Sequence, residues 1–211
     1  LATIETSINI MNKISLPEPK LIDFLNIINN SIHKYRELIT DIAAIAKIEG
    51  DMIILEKVEI DDIINNIEWS LEDRIKGSEA VITRDLEVKS VLFSKKNLRS
   101  IIYNLVSNAI KFSQGTKPVV HIRTTTEGEF VVLSVQDNGI GIDKKDIDKI
   151  FEMYGRLNHE VDGQGIGLYL TRKIVDASHG HIEVESAPGK GSKFTIYFKA
   201  EPEPVRSTKT A

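Results

Sequence analysis

Three polar side chains interrupt an otherwise apolar run in NLVSNAIKFS, residues 104–113: Asn104, Asn108 and Lys111, at i, i+4 and i+7. That spacing puts all three on one flank of a helix. Asparagine is a weak helix former, so local propensity does not explain the pair. A neutral amide oxygen can complete the octahedral shell of a magnesium ion held mostly by phosphates and water, and a lysine one turn on meets phosphate oxygens as a point charge. Taken alone, the trio equally describes a solvated flank or a satisfied buried amide.

Three further segments offer compatible chemistry. In DNGIGID, residues 137–143, Asp137 supplies a carboxylate able to accept from an exocyclic amine such as that of adenine, while Gly139 and Gly141 permit a tight turn and close approach to a flat ligand. In DGQGIGLYL, residues 162–170, Gly163, Gly165 and Gly167 lead into a helix N-terminus, where free amides and the helix dipole favour phosphate. GKGS, residues 189–192, is the fourth. Each also reads as plain turn chemistry: a strand-to-helix turn capped by Asp143, a glycine-rich helix start, a hairpin turn. The common phosphate motifs do not fit. Leu168 stands where a dinucleotide fingerprint needs its third glycine, and Lys190 is followed by Gly191 rather than Ser or Thr.

The elements that must position these residues are set by period and punctuation. Leu98, Ile101, Ile102, Leu105, Ala109 and Phe112 form the core stripe of the asparagine helix, with Ser94 as its cap. Upstream, MIILEKVEI reads as a strand, and Asp61 or Asp62 caps a helix whose apolar face is Ile63, Ile64, Ile67, Leu71 and Ile75, ending near Gly77. Strands are expected over 80–87 and 90–93, and PVVHIRTTT and EFVVLSVQD form a hairpin around Gly128. A short helix over 143–152, a helix over 167–178 stopped by Gly180, and two closing strands within GHIEVESAPGKGSKFTIYF complete the region. Residues 51–200 therefore predict an α+β domain, a two-layer α/β sandwich whose mixed sheet is covered by about three helices. The tail, 201–211, with Pro202 and Pro204 among charged and small residues, is expected to be disordered.

Residues 1–50 have a different character. Leu25, Ile28, Ile32, Tyr35, Ile39, Ile42 and Ala46 alternate at spacings of three and four, a heptad seam, and Leu1, Ile4, Ile8 and Met11 repeat the spacing. Pro17 and Pro19 in SLPEP separate the two stretches, predicting an antiparallel helical hairpin. A second copy completing a four-helix bundle would bury the seam, so a homodimer is expected; packing on the rest of its own chain is the alternative.

Composition narrows the class. The 211 residues are 41% hydrophobic, ordinary for a domain that buries a core, and contain no cysteine, which excludes disulfides and thiolate metal sites. A net charge of −4 argues against broad nucleic-acid binding. No apolar run approaches the roughly 20 residues of a membrane span, and no signal segment opens the chain, so a cytoplasmic location is expected. Because the chain starts at Leu1, a fragment or processed product is expected.

The order NLVSNAIKFS, DNGIGID, IFEMYGRLN, GQGIGLYL, GKGSKF resembles the N, G1, F, G2 and G3 boxes of sensor histidine kinases, members of an ATPase superfamily shared with DNA gyrase, the ninety-kilodalton heat-shock chaperone and MutL. The preceding hairpin resembles the family's dimerisation and phosphotransfer domain. The resemblance implies ATP and Mg²⁺ as cofactors, with Asn108 as metal ligand and Lys111 as phosphate contact. It puts Phe112, where the family often has tyrosine, against the nucleotide. Asp137 would bind adenine beside Gly139 and Gly141; Gly163, Gly165, Gly167 and Leu168 would form the second glycine box. Asn104 stands where gyrase-like relatives hold a water-activating glutamate, which an amide cannot replace as a base. Arg156 matches an arginine that reaches the terminal phosphate, or is a solvated lid residue, and 157–162 would form a short ATP lid hinged at Gly163. The phosphoacceptor motif is not present: His33, His121, His159, His179 and His181 lack its pattern. LATIETSINIM resembles the family's segment immediately C-terminal to that motif, so the acceptor is expected just upstream of Leu1. The implied activity is phosphoryl transfer from ATP to that histidine and on to an aspartate of a response-regulator receiver domain. A non-catalytic nucleotide-binding signalling or dimerisation module is the alternative.

Overall fold

The computed structural model describes residues 54–113, 115–155 and 165–199, together with Leu25, Ile27, Ile28, Ser31, Ile32, Tyr35 and Ile39. The chain divides into two compact units, Leu1–Gly50 and Asp51–Ala211. In the first, all the described residues are helical. Leu25 and Ile32 are buried with Ile28 packed against them, whereas Tyr35 and Ile39, assigned to the same seam, are 60% and 57% exposed. The connecting prolines and the first arm of the expected hairpin lie outside the described residues, as does the tail.

The second unit opens with β1 (Glu56–Glu59), which pairs antiparallel with β3 (Ser90–Phe93). Between them lie α1 (Ile60–Ser70), α2 (Glu72–Ser78) and β2 (Val81–Leu86). Of the expected isoleucine-rich stripe, Ile63, Ile64, Ile67 and Leu71 are almost wholly buried, joined by Ile60, whereas Ile75 is only half-buried. Its boundaries differ from the sequence reading. The strand gives way at Ile60, Glu59 holds the N-cap position without a side-chain bond, and Asp61 and Asp62 sit in the first turn, where they favour the dipole rather than cap. The single expected helix is broken at Leu71, whose backbone leaves helical values, and α2 runs past Gly77 to end at Glu79 in the left-handed region.

The asparagine helix is α3 (Lys95–Lys111), capped by Ser94, whose hydroxyl accepts from the Asn97 amide. Its buried face is Leu98, Ile101, Ile102, Leu105, Val106, Ala109 and Ile110. Phe112, expected in that stripe, is only half-buried, because the helix ends there and its backbone turns away. β4 (Val119–Glu127) and β5 (Phe130–Asp137) form the hairpin, turning at Gly128 with φ +58°. Two 3₁₀ turns, Lys144–Asp146 and Lys149–Phe151, replace the short helix expected over 143–152; Asp143 caps the first. Then come α4 (Gly167–Ala177), β6 (His181–Ser186) and β7 (Ser192–Lys199).

The main sheet has the order β2-β4-β5-β7-β6, parallel between β2 and β4 and antiparallel elsewhere. Alternation sorts its faces. Val120, Ile122, Leu133, Val135, Phe194, Ile196 and Phe198 point to the buried side, and the register sets Ile122 opposite Val135 and Leu133 opposite Ile196. α3 covers β4 and β5, and α4 covers β6 and β7. Each large aliphatic side chain so enclosed contributes about 1.5–3 kcal/mol of transfer free energy. Thr124, wholly buried among them, donates its hydroxyl proton to the Val88 carbonyl and so adds no unpaired polar atom. This is a two-layer α/β sandwich with a mixed sheet, carrying four α-helices among the described residues.

Candidate nucleotide site

The site is built around α3. Asn104, Asn108 and Lys111 are half-buried along its flank, at the border of the core as their spacing predicts, and Phe112 is half-buried at the helix end. The two asparagines are not equivalent. Asn104 Nδ2 donates to the Gly167 carbonyl at 3.0 Å and lies 3.5 Å from Thr171 Oγ1, bridging α3 to the first turn of α4. Gly167 permits the approach, since a Cβ there would lie 3.1 Å from Asn104 Oδ1. Thr171 is wholly buried and donates to the same carbonyl at 2.9 Å. Asn108, one turn on, makes no side-chain hydrogen bond among the described residues, and its amide oxygen is available to a ligand. The Lys111 ammonium lies 4.8 Å from the centre of the Phe112 ring, a cation–π contact at the helix end.

The far end of α3 holds the Asp137 loop. The Phe112 carbonyl accepts from the Ile140 amide at 3.0 Å, and a Cβ on Gly139 would fall 2.7 Å from that oxygen, so only glycine fits there. Asp137 Oδ1 accepts from the Gly139 amide at 2.8 Å and the Ser192 amide at 3.1 Å. Oδ2 has no partner among the described residues and can accept from a ligand. Burial pushes the Asp137 carboxyl above the ordinary carboxylate value, against the lowering effect of the two amide donors. Gly141, at φ +69°, packs so tightly on the turn between β6 and β7 that a Cβ would lie 1.9 Å from the Ala187 carbonyl oxygen.

α4 begins without a side-chain cap: Gly165 is at φ +72°, Ile166 occupies the N-cap position, and Gly167 and the half-buried Leu168 open the first turn. Its first amides are therefore open to an anion. Arg156, Gly163 and the expected lid over 157–162 lie outside the described residues. Sequence reasoning missed Thr171 and Ser186, which no motif singles out, and the asparagine in DNG. Asn138 accepts from the Val119 amide and donates to the Lys117 carbonyl, fixing the start of β4 rather than facing a ligand. A surface groove of about 430 Å³ between α1, α2 and β2, lined by Glu68, Trp69 and Lys76 among others, contains none of these residues. The chemistry lies at α3 and the glycine loops.

A sandwich with a half-buried asparagine flank, a carboxylate loop and an uncapped helix start defines a nucleotide-binding class. Comparison with known proteins makes it specific. The model of the histidine kinase-, DNA gyrase B- and HSP90-like ATPase family matches residues 94–202. Cyanobacterial phytochrome A of Nostoc sp. is 33% identical over 178 residues, covering 83% of this chain and 23% of that protein. The sensor histidine kinase RcsC of Escherichia coli is 31% identical over 189 residues, covering 84% of this chain and 20% of RcsC. Among solved structures, Acinetobacter baumannii histidine kinase AdeS superposes with a TM-score of 0.72 at 21% identity, covering 95% of each chain. Full-length ShkA in complex with AMPPNP gives 0.74 at 22% identity, covering 92% of this chain and 42% of ShkA. The chain belongs to this ATPase family and carries a catalytic ATP-binding domain of the sensor histidine kinase type. It spans less than a quarter of the length of the curated relatives named here.

Proposed function

We propose that this chain binds Mg·ATP between α3 and the glycine loops and serves as the catalytic core of a two-component kinase. The observation that carries this is the division of labour along α3. Asn104 ties the helix to α4 and the Phe112 carbonyl ties it to the Asp137 loop; between those two anchors stand Asn108 and Lys111. Asp137 Oδ2 would accept from the adenine amine, with Gly139 and Gly141 shaping the wall beside the base. Lys111, the amides opening α4 at Gly165, Gly167 and Leu168, and, from the lid, Arg156 and Gly163 would meet the phosphates.

The residues suit magnesium held in the manner of a nucleotide site. Among the described residues no three His, Asp or Glu side chains gather to form a protein cage, so Asn108 would supply one oxygen and phosphates and water the rest. Bound there, the ion would neutralise charge on the phosphate oxygens. With an amide at position 104, already donating to Gly167, no side chain at that position can activate water, which favours transfer to another nucleophile over hydrolysis. That nucleophile is a histidine upstream of Leu1: its ring nitrogen attacks the γ-phosphorus, the bond to the β-phosphate oxygen breaks, and ADP leaves. An aspartate of a response-regulator receiver domain then takes the phosphoryl group. In the same reading the hairpin expected over residues 1–50 forms the homodimer and the assembly works in the cytoplasm. No described helix is long and apolar enough to cross a membrane.

The test restores the upstream segment, supplies Mg·ATP labelled at the γ-phosphate, and looks for acid-labile, base-stable label on the protein. Label that Asn108→Ala removes supports the kinase. ATP binding without label would leave only a nucleotide-binding signalling module, and no binding at all would overturn the site.

A further inference from the structure

Asp137 sits at the end of a strand, followed by a loop with two glycines, and its own segment gives that loop little rigidity. Part of its rigidity comes from Ser186, the last residue of β6. Its hydroxyl accepts from the Ile142 amide at 2.8 Å, donates to the Gly191 carbonyl at 2.8 Å, and lies 3.0 Å from Ser192 Oγ. A serine hydroxyl has one proton and two lone pairs. With the proton on Gly191 and one lone pair on Ile142, the other lone pair accepts from Ser192, and the hydrogen-bonding capacity of Ser186 is fully used.

The three partners lie in the Asp137 loop or against it. Ile142 closes the loop that begins at Asp137, and the Ser192 amide donates to Asp137 Oδ1. A Cβ on Gly191 would fall 2.0 Å from the Asp137 carbonyl oxygen, so that glycine lies directly against the Asp137 backbone. The Gly189 amide donates to the Ile140 carbonyl at 2.6 Å. Two loops distant in sequence are thus fastened together, and the Ser186 hydroxyl hydrogen-bonds both to the Asp137 loop and to the far side of the turn.

We propose that Ser186 is a positioning residue for nucleobase recognition, holding the loop so that Asp137 Oδ2 faces the exocyclic amine of adenine. Ser186 does not itself touch the base. The inference rests on the ATP reading above, and the experiment separates the two. Affinities of the 211-residue chain for Mg·ATP and for Mg·ITP, which carries an oxygen in place of the amine, are measured by calorimetry in wild type, Ser186→Ala, Ser186→Thr, Asp137→Asn and the Asp137→Asn/Ser186→Ala double variant.

The expected result is a loss of about tenfold for ATP in Ser186→Ala, the scale of one hydrogen bond's orientation, with ITP unchanged. Ser186→Thr, which keeps the hydroxyl, retains ATP affinity, and Ser186→Ala adds nothing once Asp137 is already Asn. Should the alanine variant fail to fold, Ser186→Cys, a weak hydrogen-bonding replacement, is held to the same split. Equal losses for ATP and ITP, or a further loss in the Asp137→Asn background, would make Ser186 general scaffold and overturn the proposal. Wild-type ATP binding with an unaffected Ser186→Ala refutes this proposal alone; a wild type that binds neither nucleotide refutes the ATP reading, and this one with it.

Discussion

The two asparagines of α3 should respond to alanine in opposite ways. Asn104→Ala removes the 3.0 Å donation to the Gly167 carbonyl and the longer contact with Thr171. That carbonyl keeps the Thr171 hydroxyl at 2.9 Å, so no buried acceptor is orphaned and the full desolvation penalty does not apply. What is lost is one net hydrogen bond and the packing of an amide against Gly167, about 1–2 kcal/mol together. For a unit of this size that lowers the melting temperature by roughly 2–4 °C per kcal/mol. Asn108→Ala removes an amide with no partner among the described residues, and its stability cost should be near zero, within about 0.5 kcal/mol. Mg·ATP affinity should collapse in Asn108→Ala and fall only moderately in Asn104→Ala, as the start of α4 loosens. Urea denaturation gives the stabilities and calorimetry the affinities. Equal destabilisation by both variants would make Asn108 a structural amide. An Asn104→Ala protein of wild-type stability that binds ATP normally yet forms no phosphohistidine in the extended chain would give Asn104 a catalytic role.

The same geometry sets further expectations. Gly141→Ala must bear a left-handed φ, worth about 1–2 kcal/mol, and a Cβ 1.9 Å from the Ala187 carbonyl oxygen, so the Asp137 loop shifts; nucleotide binding is lost while circular dichroism still reports a folded chain. Because burial raises the Asp137 carboxyl above its ordinary 3.8, ATP affinity should decline on acidification from a higher pH than an unshifted aspartate would give, and Asp137→Asn should remove that step. The sign for stability is opposite: the folded state holds this proton more tightly, so the contribution of Asp137 to stability decreases as pH rises from 3.8 through the raised value, a slope that denaturation of wild type against Asp137→Asn would show. Ile101→Ala, at a wholly buried position under the sheet, should cost about 2–5 kcal/mol in denaturant titration, without a change in the ATP-to-ITP ratio of the folded fraction.

Sequence by itself determined the elements with a long, regular period and the chemistry the loops contain. The stripe of α3, the strand alternation, the Gly128 hairpin and the Ser94 cap are local regularities, readable because a buried face repeats every 3.6 or 2 residues. The polar flank of α3 was legible for the same reason: side chains that break a core stripe stand at its edge. Period says nothing about partners. That Asn104 is committed to Gly167, 63 residues away, while Asn108 is not, depends on how α4 is laid beside α3. Glu59 rather than Asp61 or Asp62 takes the cap position because pairing of β1 with β3 extends the strand to that residue. The break at Leu71, the two 3₁₀ turns over 144–151 and the half-exposed Phe112 are likewise set where an element meets its neighbours. Ser186 is the clearest case: an unremarked serine at a strand end, whose function arises only when the β6–β7 turn folds back on a loop 44 residues earlier. Hydrogen bonds between remote segments are fixed by topology, and only the tertiary structure decides which polar side chains it uses up and which it leaves for a ligand.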